Sequence, residues 1–157
     1  MNSSHKKEHE LDRLHKAAKN GDLVAMLEIG NAYAHGEGVP VDYPRALKWW
    51  LKAAEKGYAE AQYRIGLAYE RGQGAPLDLG QAVSWWLKAA ERGNHEAQFQ
   101  LHLAYEYGLG VLKSAALSLS WLKAAAENGH FQAIKRLAEY DQSNAEEFQV
   151  TVGLHSV

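Results

Sequence analysis

The sequence predicts an all-α protein, a right-handed α-solenoid of antiparallel helix pairs. Three observations predict it. A short Ala-x-x-Gly string returns every 36 residues, closing on Gly21, Gly57, Gly93 and Gly129 without an insertion. Further columns keep the same period: Ala25, Ala61, Ala97 and Ala133; Ile29, Ile65, Leu101 and Leu137; Tyr33, Tyr69 and Tyr105. Within each unit the apolar residues follow helical spacing and break at a Gly-x-Gly turn. A fixed period of this length is the mark of a repeat array. A single helix pair cannot bury its own apolar stripe, so the units must stack.

Taken in order, residues 1–21 form an N-terminal capping half-unit. Residues 9–20 align with the second helix of a unit, but Arg13 stands where the other units have tryptophan. A charge there suits a terminal helix with no neighbour before it. Three full units follow, at residues 22–57, 58–93 and 94–129. In the middle unit the first helix, residues 58–71, carries Ala61, Ile65, Ala68 and Tyr69 on one side. It stops at Gly72-Gln73-Gly74, because glycine enters the left-handed region cheaply. The second helix begins after Asp78, a good N-cap, and ends before Gly93; Asp42 and Ser114 hold the same capping slot. Residues 130–141 form a C-terminal half-unit. The tail, residues 142–157, fits a short lid helix with a Ser143–Glu146 capping box and inward Phe148 and Val152. Its alternating Phe148, Val150, Val152 and Leu154 also fit a strand, and a frayed terminus fits as well.

Trp49, Trp85 and Trp121 recur once per unit and read as core packing residues, with Gly57, Gly93 and Gly129 as the structural turns. Trp50 and Trp86 sit about 100° further round the helix, where a half-exposed place fits, and they too read as packing residues ahead of a ligand-facing role. Gly30 and Gly66 read as places of close helix approach. His102 stands in their column as a drifted packing position, and its reversion to glycine is expected to cost little.

These columns resemble the Sel1-like repeat, a relative of the tetratricopeptide repeat. The family's pattern appears as Ala61, Ile65-Gly66, Tyr69, Gly72-Gln73-Gly74-Ala75, Asp78, Ala82, Trp85 and Ala89-Ala90. The resemblance covers residues 11–140 and is specific for fold rather than function. The third unit departs from it at His102, Leu112, Ser114 and Ser118. What the resemblance implies is a protein-binding role: adaptors of membrane-associated or secretory assemblies, signalling scaffolds, host-interaction proteins or toxin-neutralising proteins.

Composition excludes several classes. Net charge is −2, so no global field draws in nucleic acid or an anionic membrane. Lysines and arginines alternate with acids, as at Arg64, Glu70 and Arg71. There is no cysteine for a disulfide, a thiol nucleophile or a metal cluster. Residues 1–10 lack the apolar core of a secretory signal, and no apolar stretch approaches the roughly 18 residues of a membrane span. The expectation is a soluble, cytoplasmic monomer. The Gly-x-Gly pairs follow a helix rather than a strand and lack the Gly-Lys-Ser/Thr of a phosphate loop. His5 and His9 have metal-clamp spacing but no third ligand nearby. His95 and His130 begin first helices and read as local hydrogen-bonding residues. No catalytic residue, metal or cofactor is expected, and the chain is not expected to be an enzyme.

What varies between units lies beside the core columns of the first helices. Four stacked helices about 8–10 Å apart make a groove on the order of 30 Å, room for about nine extended residues. Aromatic and arginine residues are common interface anchors. The expected binding residues are Tyr63, Arg64, Leu67, Arg71, Phe99, Leu103 and Tyr107. Tyr63 and Phe99 fit a place between helices equally well. The expected function is an adaptor or scaffold that binds a protein or peptide. The alternatives are an inhibitor or immunity protein that occludes an enzyme, and a structural spacer.

Overall fold

The computed structural model describes the backbone of residues 3–154 and the side chains of residues 9–144. Among the described residues there are eight helices and no strand: α1 Ser3–Lys19, α2 Leu23–His35, α3 Tyr43–Glu55, α4 Ala59–Arg71, α5 Leu79–Ala90, α6 His95–Tyr107, α7 Ala115–Glu127 and α8 Phe131–Leu154. Each packs on the next along the chain, most closely within the pairs α2–α3, α4–α5 and α6–α7. The result is a solenoid of helix pairs, as the periodicity predicts.

Local chemistry fixes the helix ends. The first helices α2, α4 and α6 stop at Gly36, Gly72 and Gly108, whose N–H groups bond back to Ala32, Ala68 and Ala104. The carbonyls of Tyr33, Tyr69 and Tyr105 then accept the N–H of Asp42, Asp78 and Ser114. Those three side chains in turn accept from Arg45, Gln81 and Leu117 and start the second helices. One helix is thus tied to the next through its own caps. The second glycine of the two later turns, Gly74 and Gly110, serves the stack. At Gly74, φ is +83°, and an added Cβ would press on the Tyr43 carbonyl of the preceding unit. Any side chain there would push the units apart.

Ile29, Ile65 and Leu101 are fully buried, ringed by the repeated alanines. The tryptophan assignment needs correction. Trp50 and Trp86 are the buried members of their pairs, 6% and 3% exposed. Trp49, Trp85 and Trp121 are only half buried. Trp85 packs against the cluster that runs from α1 through α4, and Trp121 against the cluster shared by α5 and α6, each cluster spanning a boundary between units. These indoles therefore seal the seam between units, with Lys52 and Lys88 ammoniums 3.9 and 4.0 Å from the rings of Trp49 and Trp85.

The two ends differ. Arg13 of α1 is exposed and pairs with Glu10 at 3.1 Å, while Leu11 and Ala18 turn inward. At the other end α8 runs without a break from Phe131 to Leu154, so no separate tail begins after residue 141. Ser143 donates to the Glu139 carbonyl one turn back, as a mid-helix serine does, and is not an N-cap. The expected lid contacts of Phe148 and Val152 lie outside the described side chains. Phe131 and Ile134 are exposed on α8, 80% and 49%. No second helix follows to cover them among the described residues.

Candidate protein-binding surface

The first helices bring several expected residues together. Arg64, Leu67 and Arg71 on α4 line one crevice of about 200 Å³ with His35 and Ala34 of α2 and Tyr43 and Trp50 of α3. These α4 positions fall at i, i+3 and i+7, one helical face. Arg64 is held by Glu60 at 3.0 Å, which aims the guanidinium along the helix; Arg71 is exposed beside Glu70 at 3.9 Å. Phe99 and Leu103 line a second, wider crevice of about 510 Å³ with Gln132, Lys135, Arg136 and Glu139 of α8.

The remaining two sit differently. Tyr63 is half buried and packs against the cluster that α5 and α6 share. Burial, with Glu96 nearby, pushes its phenol pKa above the usual value. Tyr107 is 53% exposed, its hydroxyl 3.4 Å from Arg136. Phe99 is largely a packing residue, stacked on the His130 ring at 4.2 Å between centroids.

The sequence reading missed a cleft of about 370 Å³ in the third unit. His102, Tyr105, Glu106, Ser118, Leu119, Leu122, Arg136 and Tyr140 are among its walls. Arg136 of α8 places one Nη atom 2.8 Å from each oxygen of Glu106 on α6, tying the last helix to the body of the solenoid. The available signal was the joint departure of three columns, at His102, Ser118 and Leu122.

Among the described residues, His95, Glu96 and His130 place potential metal-ligating atoms within 4.8 Å of one another. Hydrogen bonding gives the group another role. His130 Nδ1 accepts from the Ala133 N–H at 3.2 Å and caps α8. The ring proton therefore belongs on Nε2, which faces Glu96 at 3.4 Å. A metal at Nε2 would have to displace that proton, so the geometry is that of a capping histidine oriented by a carboxylate.

Among the described residues no helix is long and apolar enough to cross a membrane. No match was found among curated proteins. Solved structures do match. A Sel1 repeat protein from Oxalobacter formigenes is 34% identical with a TM-score of 0.80, over 90% of this chain and 57% of that one. A protective antigen of uropathogenic Escherichia coli strains, displaying an SLR fold, is 41% identical with a TM-score of 0.74, over 76% and 26%. The chain thus spans little more than half of the first and about a quarter of the second. Helicobacter pylori cysteine rich protein B, 19% identical with a TM-score of 0.65 over 80% and 95%, shares the fold. The family model described as Sel1 repeat matches residues 23–58, 59–94 and 95–130. Repeats of this kind are generally protein–protein interaction modules and typically non-catalytic scaffolds. With its caps, glycine turns and helix pairs recurring in register with that pattern, the chain belongs to the Sel1 repeat family.

Proposed function

We propose that this chain is a non-catalytic adaptor or scaffold that holds a protein or peptide on the surface lined by its first helices. The observation that carries the reading is the clustering of Arg64, Leu67 and Arg71 in one crevice and of Phe99 and Leu103 in another. Both combine apolar walls with charged groups, the mixture an interface anchor needs. The arginines on the first helices have acidic neighbours: Arg64 with Glu60, Arg71 with Glu70 and Arg136 with Glu106. A polyanion meets no continuous positive stripe there, which favours a polypeptide over nucleic acid.

The test is site-specific photo-crosslinking in the native host, with the reactive group at position 71 or 103, or at position 48 or 84 on second helices. Partner adducts from the first pair support the reading; adducts from the second pair alone place recognition on the opposite face. A single enzyme captured one to one identifies an inhibitor, several clients an adaptor, and no adduct from any position a spacer. With the partner in hand, Arg71→Ala and Tyr107→Ala should each weaken binding at least about tenfold, roughly 1.4 kcal/mol. Melting temperature should stay within a few degrees, since both side chains are exposed.

A further inference from the structure

Three departures of the third unit meet in space. Where the first two units carry Gly30, Ala46 and Trp50, or Gly66, Ala82 and Trp86, the third carries His102, Ser118 and Leu122. In the first two units, a Cβ built on the glycine would fall on the five-membered ring of the indole; its nearest atoms are Nε1, Cδ1 and Cε2. His102 therefore puts its imidazole where its counterparts hold the pyrrole, and Leu122 ends at the stem. The six-membered half of the indole has no replacement from these residues. The 370 Å³ cleft lies here, against about 200 Å³ for the crevice that Trp50 lines.

One polar atom in this cleft has no partner. His102 is 4% exposed. Its Nδ1 lies 2.9 Å from Ser118 Oγ and 3.2 Å from the Ser118 carbonyl, and Ser118 Oγ lies 3.2 Å from the His102 carbonyl. All three contacts are satisfied when Nδ1–H donates to Ser118 and the Ser118 hydroxyl donates to the His102 carbonyl. Nε2 is then a bare acceptor, with no hydrogen-bond partner among the described residues. Its charged neighbour is another acceptor, Glu106 at 3.6 Å, which Arg136 already engages at 2.8 Å. The Phe99 and His102 rings lie 5.6 Å apart between centroids. A buried acceptor in such a place calls for a donor from outside.

We infer that this cleft receives a tyrosine side chain of the bound polypeptide. The ring fills the missing half of the indole, and the phenol O–H donates to His102 Nε2. Chemistry narrows the occupant. A carboxylate cannot donate to Nε2. A plain hydrocarbon leaves Nε2 unpaired. An ammonium meets Lys113 and Arg136 in the walls. Tyr105, Leu119, Leu122 and Tyr140 supply an apolar lining for a single ring. Arg136 also lines the crevice of Phe99 and Leu103, so the cleft opens from the same first-helix surface. The inference rests on the protein-binding reading above and names one anchor within it.

The test uses the full chain and p-cresol, the isolated tyrosine side chain. Imidazole nitrogen resonances of His102 are followed by NMR as p-cresol, or toluene as the same ring without a donor, is added to millimolar concentration. The combined variant His102→Gly, Ser118→Ala, Leu122→Trp rebuilds the arrangement of the first two units and closes the cleft; circular dichroism checks its fold. Because it lacks the imidazole, binding to it and to the parent is also followed on the methyl proton resonances of p-cresol and toluene. The expected result is a saturable shift at His102 Nε2 with p-cresol, at least about tenfold weaker binding of toluene, and none of either by the folded combined variant. No saturable shift, equal binding of the two compounds, or p-cresol binding that survives in the variant overturns the site. Because the probe is small, that failure leaves the protein-binding reading standing. Failure of the crosslinking experiment alone leaves a phenol site without a polypeptide to fill it.

Discussion

The indole of Trp86 lies across the backbone at Gly66, its five-membered ring in the space where a side chain at position 66 would begin. Trp50 and Gly30 repeat the relation one unit earlier. A glycine inside a helix costs about 1 kcal/mol relative to alanine, and burial of a large aromatic offsets that several times over. The pair is thus one packing device spread over two helices, and it decides which tryptophan matters most.

Trp86→Ala should cost about 3–5 kcal/mol, as truncations of buried aromatics do. Trp85→Ala, at the half-exposed seam, should cost only about 1–2 kcal/mol. Urea denaturation of the two variants checks the order. Equal losses would show that the inner and seam positions are energetically alike.

Gly66→His should destabilise by about 3 kcal/mol or more, because the imidazole and the Trp86 indole claim one volume. His102→Gly is not the near-neutral change suggested by the glycine column alone. It removes two contacts to Ser118, puts a flexible residue in mid-helix and enlarges a cleft already present. A loss of about 2 kcal/mol is expected. A harmless His102→Gly, read by thermal melts, would mean that Leu122 and its neighbours collapse into the gap.

Trp50 Nε1 donates to Asn31 at 3.3 Å. At the matching position the second unit has Leu67, and Trp86 Nε1 finds no partner among the described residues. Asn31→Leu should therefore cost about 1–3 kcal/mol, the penalty of stranding a buried donor. Leu67→Asn should supply the missing acceptor and gain about 1 kcal/mol. The indole N–H resonance of Trp86 is the direct readout: it should move downfield and exchange more slowly in Leu67→Asn. An unmoved resonance would show that the asparagine turns away.

Burial, reinforced by Arg136, holds the His102 pKa below the ordinary 6.5, although the Ser118 carbonyl and Glu106 pull the other way. The unfolded chain then takes up this proton at a higher pH than the folded one. The associated stability is complete above about pH 6.5 and is lost as the pH falls through the depressed folded value. His102→Gln should remove that share of the acid sensitivity. Melting temperatures of parent and variant between about pH 7.5 and pH 5 give the difference slope. Parallel curves would show that His102 titrates alike in both states.

Helix number, caps and turns were legible because they depend on neighbours in sequence. A glycine that ends a helix, an aspartate that starts one and an apolar stripe of helical period act within a few residues, and the fixed spacing repeats the message. The face carrying Arg64, Leu67 and Arg71 was legible for the same reason, since one helix sets their directions. Tertiary structure decided what recurrence alone does not. Trp49 and Trp50 differ by a 100° turn of one helix, and both positions are constrained, one by the seam between units and the other by the core beneath Gly30. Recurrence reports constraint, not depth, so the burial order needed the packed pair. His102, Ser118 and Leu122 stand on two helices and touch only when α6 folds against α7. The cleft they leave depends on volumes summed across that contact, which no single column of the sequence records.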